Sequence, residues 1–337
     1  MAVRVSINGF GRIGRLVLRS IVEYARRDIE IVAINDLGSV EINAHLLRYD
    51  SVHGRFPGMV SIGPETIDVG LGPIRVTALR DPAQLPHKAL GVDVALECTG
   101  LFTRKDAASA HLEAGARKVL VSAPCEGADR TVVFGVNHES LSGRDLVVSN
   151  GSCTTNCLGV VARVLLDLCG VRQGYVTTVH SITGDQPTHD TLHEDRYRAR
   201  AASLSMIPTS TGAARALGLV LPELAGKLDG SAIRVPTANV SVIDLKFVPD
   251  RVVSREEINE AMSSAAAKGP LRGVLAVTND PLVSIDLNHT AASATVALPQ
   301  THVMDGKLAR VLAWYDNEWA FSTRMADTAI AMAKVAH

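Results

Sequence analysis

The chain has 337 residues, of which 47% are hydrophobic and 20% are charged, and its formal net charge is −1. This length favours two domains, and a near-neutral charge argues against nucleic acid or a membrane surface as the main partner. Five cysteines without disulfide or zinc-site spacing, no secretory signal and no apolar run near the ~18 residues of a membrane span favour a metal-free cytoplasmic protein.

The first 150 residues alternate between short β-branched runs and helical segments. The runs are VRVSIN, IEIVAIND, GVDVALECTG, KVLVSAP and LVVSN, and the helical segments include RLVLRSIVEYARR and RKDAASAHLEAG. Strands separated by helices predict parallel βαβ units. We therefore expect an α/β domain in this half of the chain.

A glycine motif follows the first predicted strand. Gly9, Gly11 and Gly14 form G-x-G-x-x-G at the start of a helix, and the second strand leads to Asp36, 22 positions after the last glycine. Alone, the glycines could form an ordinary turn and Asp36 could cap the strand, but the paired spacing favours a dinucleotide site. Such glycines admit a pyrophosphate and the carboxylate binds the ribose hydroxyls. Because a carboxylate repels a 2′-phosphate, the motif predicts NAD over NADP.

The second half of the chain has a different pattern. LGVVARVLLDLCG predicts a long helix, and strands are predicted in GYVTTVHSIT, SAIRVPTANVSVIDLKFV, ASATVALP and KLARVLAWYDNEW. A further helix begins at the capping box of Ser254 and Glu257 and ends at Gly269. The segment STRMADTAIAMAKVAH predicts a final helix. This half is expected to be an α+β domain with a large, mostly antiparallel sheet.

The segment SNGSCTTNC places Cys153 between a predicted strand and a predicted helix. Its polar residues are also typical of a simple turn. At a helix N-terminus, however, the dipole and the unpaired N–H groups lower the pKa of a thiol and can bind an oxyanion. Cys157, one turn later, is expected to be an ordinary buried residue.

His180 supplies a candidate base at the end of the predicted strand YVTTVHSIT. A histidine in this position is often only a satisfied, partly buried side chain. Combined with a cysteine at a helix start and an NAD site, it indicates aldehyde oxidation through a covalent thiohemiacetal.

Several motifs together resemble one enzyme family over nearly the whole chain. INGFGRIGR, SCTTNC, TTVHSITGDQ, PTSTGAA, IRVPTANVSVIDL and WYDNEW closely resemble phosphorylating glyceraldehyde-3-phosphate dehydrogenase. The resemblance implies the glycolytic or gluconeogenic conversion of glyceraldehyde 3-phosphate, with NAD and inorganic phosphate, to 1,3-bisphosphoglycerate. Cys153 would carry the thiohemiacetal and the thioester, and His180 would be the base. It also implies a homotetramer whose subunits join a Rossmann NAD-binding domain (1–151 and 318–337, with a returning final helix) to a catalytic domain (152–317).

The resemblance further implies the remaining site residues. Those that bind the cofactor, besides the three glycines and Asp36, are Arg12 and Ile13 at the pyrophosphate, Arg80, Ser122, and Asn317 at the nicotinamide carboxamide. Those that bind inorganic phosphate are Ser152, Thr154, Thr211 and Gly212. Those that bind the substrate phosphate are Thr183 and Arg234, with Arg198 close to both anions. Hydroxyls, backbone N–H groups and arginines suit two anions near a cysteine, although Arg198 could also belong to a solvated charged face.

Two alternatives remain open. Erythrose-4-phosphate dehydrogenase shares the fold, the Cys/His pair and the cofactor, but its typical sequences lack the TGDQ and STGAA forms of this chain. A noncatalytic NAD-binding scaffold would have kept the fold and lost the chemistry. The presence of Cys153, His180 and Arg234 argues against the scaffold.

Overall fold

The computed structural model describes residues 2–335, which divide into two compact units. Unit 1 comprises the chain up to Phe134, His138–Gly151 and the chain from Ser322 onward, and unit 2 comprises Gly135–Asn137 and Ser152–Phe321. These bounds differ from the predicted domains at two places, because Gly135–Asn137 and residues 318–321 group with unit 2.

Unit 1 alternates strands and helices, as its sequence predicts. Its elements are β1 Val3–Asn8, α1 Arg12–Glu23, β2 Ile29–Asn35, α2 Val40–Arg48, β3 Tyr49–Asp50, β4 Gly54–Arg55, β5 Ser61–Gly63, β6 Thr66–Asp68, β7 Pro73–Thr77, α3 His87–Leu90, β8 Val94–Glu97, α4 Lys105–Ala108, α5 Ala110–Glu113, β9 Lys118–Val121, β10 Arg130–Thr131 and β11 Val147–Ser149.

The sheet of unit 1 has the topology of a Rossmann fold. Within residues 2–335, its strand order is β10-β11-β9-β8-β1-β2-β7-β6-β5, and pairing is parallel from β10 to β7. The chain leaves β1 toward β2 on one side and returns to β8 on the other. Such a reversal of strand order leaves a crevice at the carboxyl ends of the strands, where dinucleotides bind. The predicted fold class is confirmed.

One helix predicted for unit 1 is interrupted. RKDAASAHLEAG contains two short helices, α4 and α5, instead of one. The Ser109 hydroxyl donates to the carbonyl of Lys105 at 2.7 Å. Such local bonds to the backbone compete with regular helix geometry.

Unit 2 is an α+β unit with a large sheet. Its elements are α6 Cys153–Cys169, β12 Gln173–Ser181, β13 Ile207–Ser210, α7 Ala213–Val220, β14 Leu228–Val235, β15 Ser241–Val248, α8 Arg255–Ala267, β16 Leu275–Thr278, β17 Ala294–Ala297, β18 His302–Met304 and β19 Leu308–Tyr315. In the described chain the sheet order is β13-β14-β12-β15-β19-β17-β16, with β18 also on β19. Pairing is antiparallel except for β12 with β14 and β16 with β17.

The single strand predicted over SAIRVPTANVSVIDLKFV is two strands. β14 pairs parallel with one edge of β12, and β15 pairs antiparallel with the other. The break includes Pro236, which has no N–H to donate to a ladder. The capping box of Ser254 and Glu257 is confirmed at the start of α8, which ends at Ala267, two residues before the predicted Gly269.

The final helix, α9, covers Trp319–Lys334. Its part beyond Ser322 belongs to unit 1, where the ammonium of Lys118 donates to the carbonyl of Met332 at 2.8 Å and the Thr328 hydroxyl donates to Asn150 at 2.9 Å. The predicted helix extended to residues 336–337, which lie outside the described residues. Among the residues described, no helix has the length and apolar character needed to cross a membrane.

Candidate active site

The glycine turn of unit 1 depends on the absence of side chains. Gly9 has φ +88°, and a Cβ there would lie 2.7 Å from the backbone nitrogen of Thr99. A Cβ on Gly14 would lie 2.1 Å from the carbonyl oxygen of Gly9. At Gly11, the N-cap of α1, a Cβ would meet no atom within 4 Å. The turn is therefore packed tightly underneath and open at the helix start, where backbone N–H groups can bind a phosphate.

Asp36 connects this turn to the end of β2. One carboxylate oxygen accepts from the N–H of Phe10 at 2.8 Å, and the other accepts from the N–H of Gly38 at 2.9 Å. The carboxylate also lines a cleft of about 330 Å³ in unit 1. The other lining residues are Asn8, Gly9, Gly11, Asn35, Leu37, Leu79, Arg80, Cys98, Thr99, Leu101 and Phe102. A glycine turn and an acidic residue in one cleft fit the pyrophosphate and ribose of a dinucleotide.

The Arg12 side chain binds an acidic residue of unit 1. Its guanidinium binds the buried Asp50 carboxylate through two contacts of 2.5 and 3.2 Å. Burial alone would raise the pKa of Asp50, but the hydrogen bonds from Arg12 and from the N–H groups of His53 and Val52 lower it to about 2. The Arg12 side chain thus ties the start of α1 to Asp50.

The other predicted cofactor residues of unit 1 differ in position. Arg80 is exposed and lines the cleft. Ser122 lies outside that lining, and its N–H donates to the carbonyl of Glu97 at 2.9 Å. Ile13 is partly buried, and its carbonyl accepts from the Ser322 hydroxyl at 3.5 Å.

In unit 2, Cys153 is the first residue of α6 and is partly exposed. Ser152 caps the helix, because its hydroxyl accepts from the N–H of Thr155 at 3.0 Å. The sulfur of Cys153 lies 3.5 Å from Nε2 of His180, which is the second-last residue of β12. The predicted nucleophile and base are therefore in contact. Cys157 is fully buried, as expected.

The surroundings of His180 set its tautomer. Nδ1 lies 2.7 Å from the carbonyl oxygen of Ser181, which accepts its proton, so the lone pair on Nε2 faces the sulfur of Cys153. Nη1 of Arg234 lies 2.9 Å from Nδ1 and donates to the same carbonyl at 3.1 Å. Burial, and then the charge of Arg234, lower the pKa of His180 to about 4. Near neutral pH this shift favours the neutral imidazole, in which Nε2 carries no proton.

The pKa of the Cys153 thiol shifts in the direction opposite to the one that its place at a helix N-terminus predicts. Burial raises the pKa of Cys153 above its ordinary value, although Arg234 and the N–H and hydroxyl of Thr154 act in the opposite direction. Desolvation of the thiolate therefore outweighs the helix N-terminus. Both pKa shifts favour the uncharged forms of the thiol and the imidazole.

Arg234 is the arginine predicted to bind the substrate phosphate. It lies opposite His180 in the ladder of β12 and β14 and donates to the Thr183 hydroxyl at 3.0 Å. Its Nε is buried, and no residue in the described chain accepts the Nε proton. A buried guanidinium N–H without an acceptor is costly, and a phosphate oxygen would supply the missing acceptor.

Asp185, which was not predicted from the sequence, contacts Arg198 directly and Arg234 through the Thr183 hydroxyl. Its carboxylate accepts from the Thr183 hydroxyl and lies 3.4 Å from Nη1 of Arg198. Arg198 also donates to the Thr209 hydroxyl at 3.1 Å, so it belongs to a bonded network and is not a freely solvated charge. The position of an acidic residue two places after Thr183, in the motif TGDQ, could have predicted this contact.

The predicted phosphate-binding hydroxyls occupy two helix starts. Thr154 is buried, and its hydroxyl pairs with that of Tyr315 at 2.8 Å. Thr211 accepts from the N–H of Ala213 at 3.2 Å, and the exposed Gly212 caps α7. Tyr315 was missed from the sequence. It lies in the quoted motif WYDNEW and packs edge-on against His180, with ring centroids 5.9 Å apart.

Asn317 is buried beside the end of β12, and its Oδ1 accepts from the hydroxyls of Ser181 and Ser241, each at 2.8 Å. Residues 2–335 contain no group of three or more His, Cys, Asp or Glu side chains arranged to hold a metal ion.

Comparisons with known proteins agree with this geometry. A family model described as "Glyceraldehyde 3-phosphate dehydrogenase, NAD binding domain" matches residues 3–105, and the model of the C-terminal domain of that family matches residues 152–317. The chain is 68% identical to glyceraldehyde-3-phosphate dehydrogenase of Xanthobacter flavus, over 99% of this chain and 100% of the relative. Identities to proteins of the same name are 64% for Cereibacter sphaeroides and 58% for Zymomonas mobilis, over at least 99% of each chain. These findings confirm the predicted family and its cofactor. The chain belongs to the glyceraldehyde-3-phosphate dehydrogenase family of NAD-dependent oxidoreductases.

Proposed function

We propose that this chain oxidises glyceraldehyde 3-phosphate, with NAD and inorganic phosphate, to 1,3-bisphosphoglycerate. The observation that carries the proposal is the 3.5 Å contact between the Cys153 sulfur and Nε2 of His180, beside Arg234, whose buried Nε lacks an acceptor in the described chain. A nucleophile, a base and an anion-binding group in this arrangement suit a phosphorylated aldehyde.

The first step forms a carbon–sulfur bond. As the sulfur of Cys153 attacks the aldehyde carbon, its proton passes to Nε2 of His180, and the carbonyl oxygen becomes an oxyanion near the N-terminus of α6. That oxyanion takes the proton back from His180, which gives the thiohemiacetal. The carbonyl of Ser181 keeps Nδ1 protonated throughout and so keeps Nε2 directed at the sulfur.

The second step removes two electrons from the same carbon. NAD, when bound, supplies the hydride acceptor. Nε2 of His180 takes the hydroxyl proton as the carbon–oxygen double bond forms, and the product on Cys153 is a thioester. An oxygen of inorganic phosphate then attacks the thioester carbon, and the sulfur leaves as a thiolate that is reprotonated by His180.

Two anion sites follow from this assignment. Arg234 and Thr183 would hold the substrate phosphate, with Arg198 nearby, and Ser152, Thr154, Thr211 and Gly212 would hold inorganic phosphate. The unaccepted Nε proton of Arg234 supports the first site, and the start of α7 at the exposed Gly212 supports the second. Asn317 would bind the nicotinamide carboxamide, and Asp36 would bind the ribose.

The phosphate requirement tests the proposal directly. Without phosphate or arsenate, we expect a burst of NADH near one per active site and little further turnover, because the thioester has no efficient acceptor. Thr211→Ala should raise the phosphate KM more than the aldehyde KM. Full steady turnover in phosphate-free buffer would mean that water resolves the thioester, and the phosphorylating assignment would then be wrong.

A substrate panel separates the alternatives. Erythrose 4-phosphate as the preferred aldehyde would favour erythrose-4-phosphate dehydrogenase, and no NADH from any aldehyde would favour a noncatalytic scaffold.

We also propose a homotetramer located in the cytoplasm. Exposed apolar side chains between residues 192 and 206, namely Leu192, Tyr197, Leu204 and Met206, support self-association, which light scattering would measure.

A further inference from the structure

Three buried side chains at one end of the unit 2 sheet form a closed hydrogen-bond group. Ser181 ends β12, Ser241 begins β15 and Asn317 follows β19, so the pairing of these three neighbouring strands brings them together. Ser181 and Ser241 are 0% exposed and Asn317 is 4% exposed. No step of the proposed reaction uses the hydroxyl of either serine.

The bonds within this group determine the orientation of the Asn317 amide. The hydroxyl oxygen of Ser241 already accepts from the N–H of Ser181 at 3.0 Å, so its proton points away from that nitrogen. Both serine hydroxyls lie 2.8 Å from the same atom of Asn317. The two hydroxyls lie 3.3 Å apart, and among the described residues their protons have no further acceptor than each other and this atom. Both protons can be accepted only if the atom is the amide oxygen, because the amide NH₂ can only donate. Since the amide is planar, Nδ2 is turned away from both serines.

We propose that Ser181 and Ser241 are positioning residues that hold the Asn317 amide in one orientation, with Nδ2 presented to the carboxamide of the cofactor. This inference rests on the proposed contact between Asn317 and the nicotinamide. A rotated amide would present its oxygen instead, and its NH₂ would face the two serine hydroxyls. At least one of these buried hydroxyl protons would then lose its acceptor among the described residues, which is costly. The serines therefore select the donor that the carboxamide oxygen meets.

Ser181 has a second role that the test must separate from the first. Its carbonyl accepts from Nδ1 of His180 and its hydroxyl donates to Asn317. Ser181→Ala removes only the hydroxyl. The pH profile of acylation, which reports on His180, should therefore stay unchanged while cofactor binding changes.

The experiment compares two ligands that differ only in the nicotinamide part. NADH and ADP-ribose are titrated calorimetrically into the wild type, Ser181→Ala and Ser241→Ala; NADH is used because its dihydronicotinamide ring is uncharged. Each variant should bind NADH about threefold to tenfold more weakly, the range for one hydrogen bond, and ADP-ribose within about twofold of wild type. Ser293→Ala is the matched control, because Ser293 is 3% exposed and its hydroxyl has no partner among residues 2–335.

A double-variant cycle keeps the inference testable even if removal of a buried hydroxyl lowers stability. Asn317→Asp retains two acceptors for the serine hydroxyls but loses the NH₂ donor, so it should fold and bind NADH weakly relative to ADP-ribose. Adding Ser241→Ala to Asn317→Asp should change the NADH to ADP-ribose ratio no further, because the orientation no longer matters.

Each outcome has one meaning. Equal losses for both ligands, unchanged NADH affinity in the serine variants, or a further loss in the Asn317→Asp background would overturn the role of the serines. A normal ratio in Asn317→Asp itself would show that the proposed nicotinamide contact fails, and the inference would fail with it. A failure of the phosphate or aldehyde assignment would leave all these binding results as expected.

Discussion

Single residues set the protonation state of the reacting pair. The His180 imidazole has a pKa of about 4 and the pKa of the Cys153 thiol is raised, both mainly by burial. Both shifts favour the uncharged forms, so in the proposed mechanism the sulfur becomes nucleophilic as Nε2 removes its proton. The cost of a buried thiolate is then avoided until the aldehyde is in place.

Replacing the nucleophile tests this view. Cys153→Ser should lower kcat for aldehyde oxidation by at least about 10²-fold, because a neutral imidazole removes a hydroxyl proton far less readily than a thiol proton. NAD affinity should change little, since the glycine turn and Asp36 are intact. Absorbance of NADH and calorimetric titration measure the two effects. Cys157→Ala is the control, and substantial activity of Cys153→Ser would exclude Cys153 as the nucleophile.

The sequence predicted residues whose own motif indicates a chemical role. It did not predict contacts that depend on the pairing of distant strands. Cys153 and His180 were predicted because each motif contains its own local signal. Tyr315 reaches the hydroxyl of Thr178 only because β19, β15 and β12 are neighbours, and it reaches that of Thr154 because α6 packs on β19. Arg12 was predicted from its place after the glycines, but its partner Asp50 lies 38 positions away, and no local pattern predicts that distance.

At the scale of elements, the start of α1 depends on the glycine turn. Gly14→Ala would place a Cβ 2.1 Å from the carbonyl oxygen of Gly9, so the turn must shift. We expect this variant to weaken NAD binding by at least about tenfold, the effect of losing about 1.4 kcal/mol. Gly11→Ala is the matched comparison within the same turn, because its Cβ would meet no protein atom within 4 Å.

Fluorescence titration of NADH would measure both glycine variants, and circular dichroism would check their folding. If Gly11→Ala folds normally and also weakens binding, its methyl group occupies space that the pyrophosphate needs. Unchanged NADH affinity in Gly14→Ala would contradict the close packing of the turn.

Elements were predicted best where periodicity was long and uninterrupted. α6 and α8 follow amphipathic runs with a polar N-cap, and both are found near their predicted positions. The separation of β14 from β15 was not predicted, because both flanking runs are β-branched and only Pro236 and its neighbours mark the break. Sheet order was also outside the reach of local pattern, since it depends on which distant strands pair.

At the scale of a whole unit, a buried polar chain makes unit 1 sensitive to acid. Nε2 of His87 lies 3.0 Å from Nδ1 of His111, whose Nε2 lies 2.9 Å from the carboxylate of Glu97, and Asn8 donates to that carboxylate at 2.6 Å. His87, His111 and Glu97 are at most 1% exposed. Burial, and then His111, lower the pKa of His87 to about 4.

The sign of the pH effect follows from this shift. The unfolded chain binds a proton on His87 near its ordinary pKa of about 6.5, whereas the folded chain resists protonation until about pH 4. Stability is therefore complete above about pH 6.5 and falls as the pH drops toward 4, by up to about 3 kcal/mol from this group. His87→Gln keeps a donor for His111 without a titrating ring, and should flatten the loss of thermal stability between these pH values. An equally steep loss in the variant would assign acid sensitivity to other groups, of which His180 is one.

The distribution of functional groups between the units has a consequence for how this enzyme can change. Cys153, His180, Arg234 and Asn317 all belong to unit 2, whereas the glycine turn and Asp36 belong to unit 1. Selection for a different nucleotide can therefore act on Asp36 and its turn without altering any of the side chains that we propose for the reaction itself. Conversely, the aldehyde preference can drift through unit 2 while the adenosine site stays as it is, so the two specificities can evolve on separate segments of one gene.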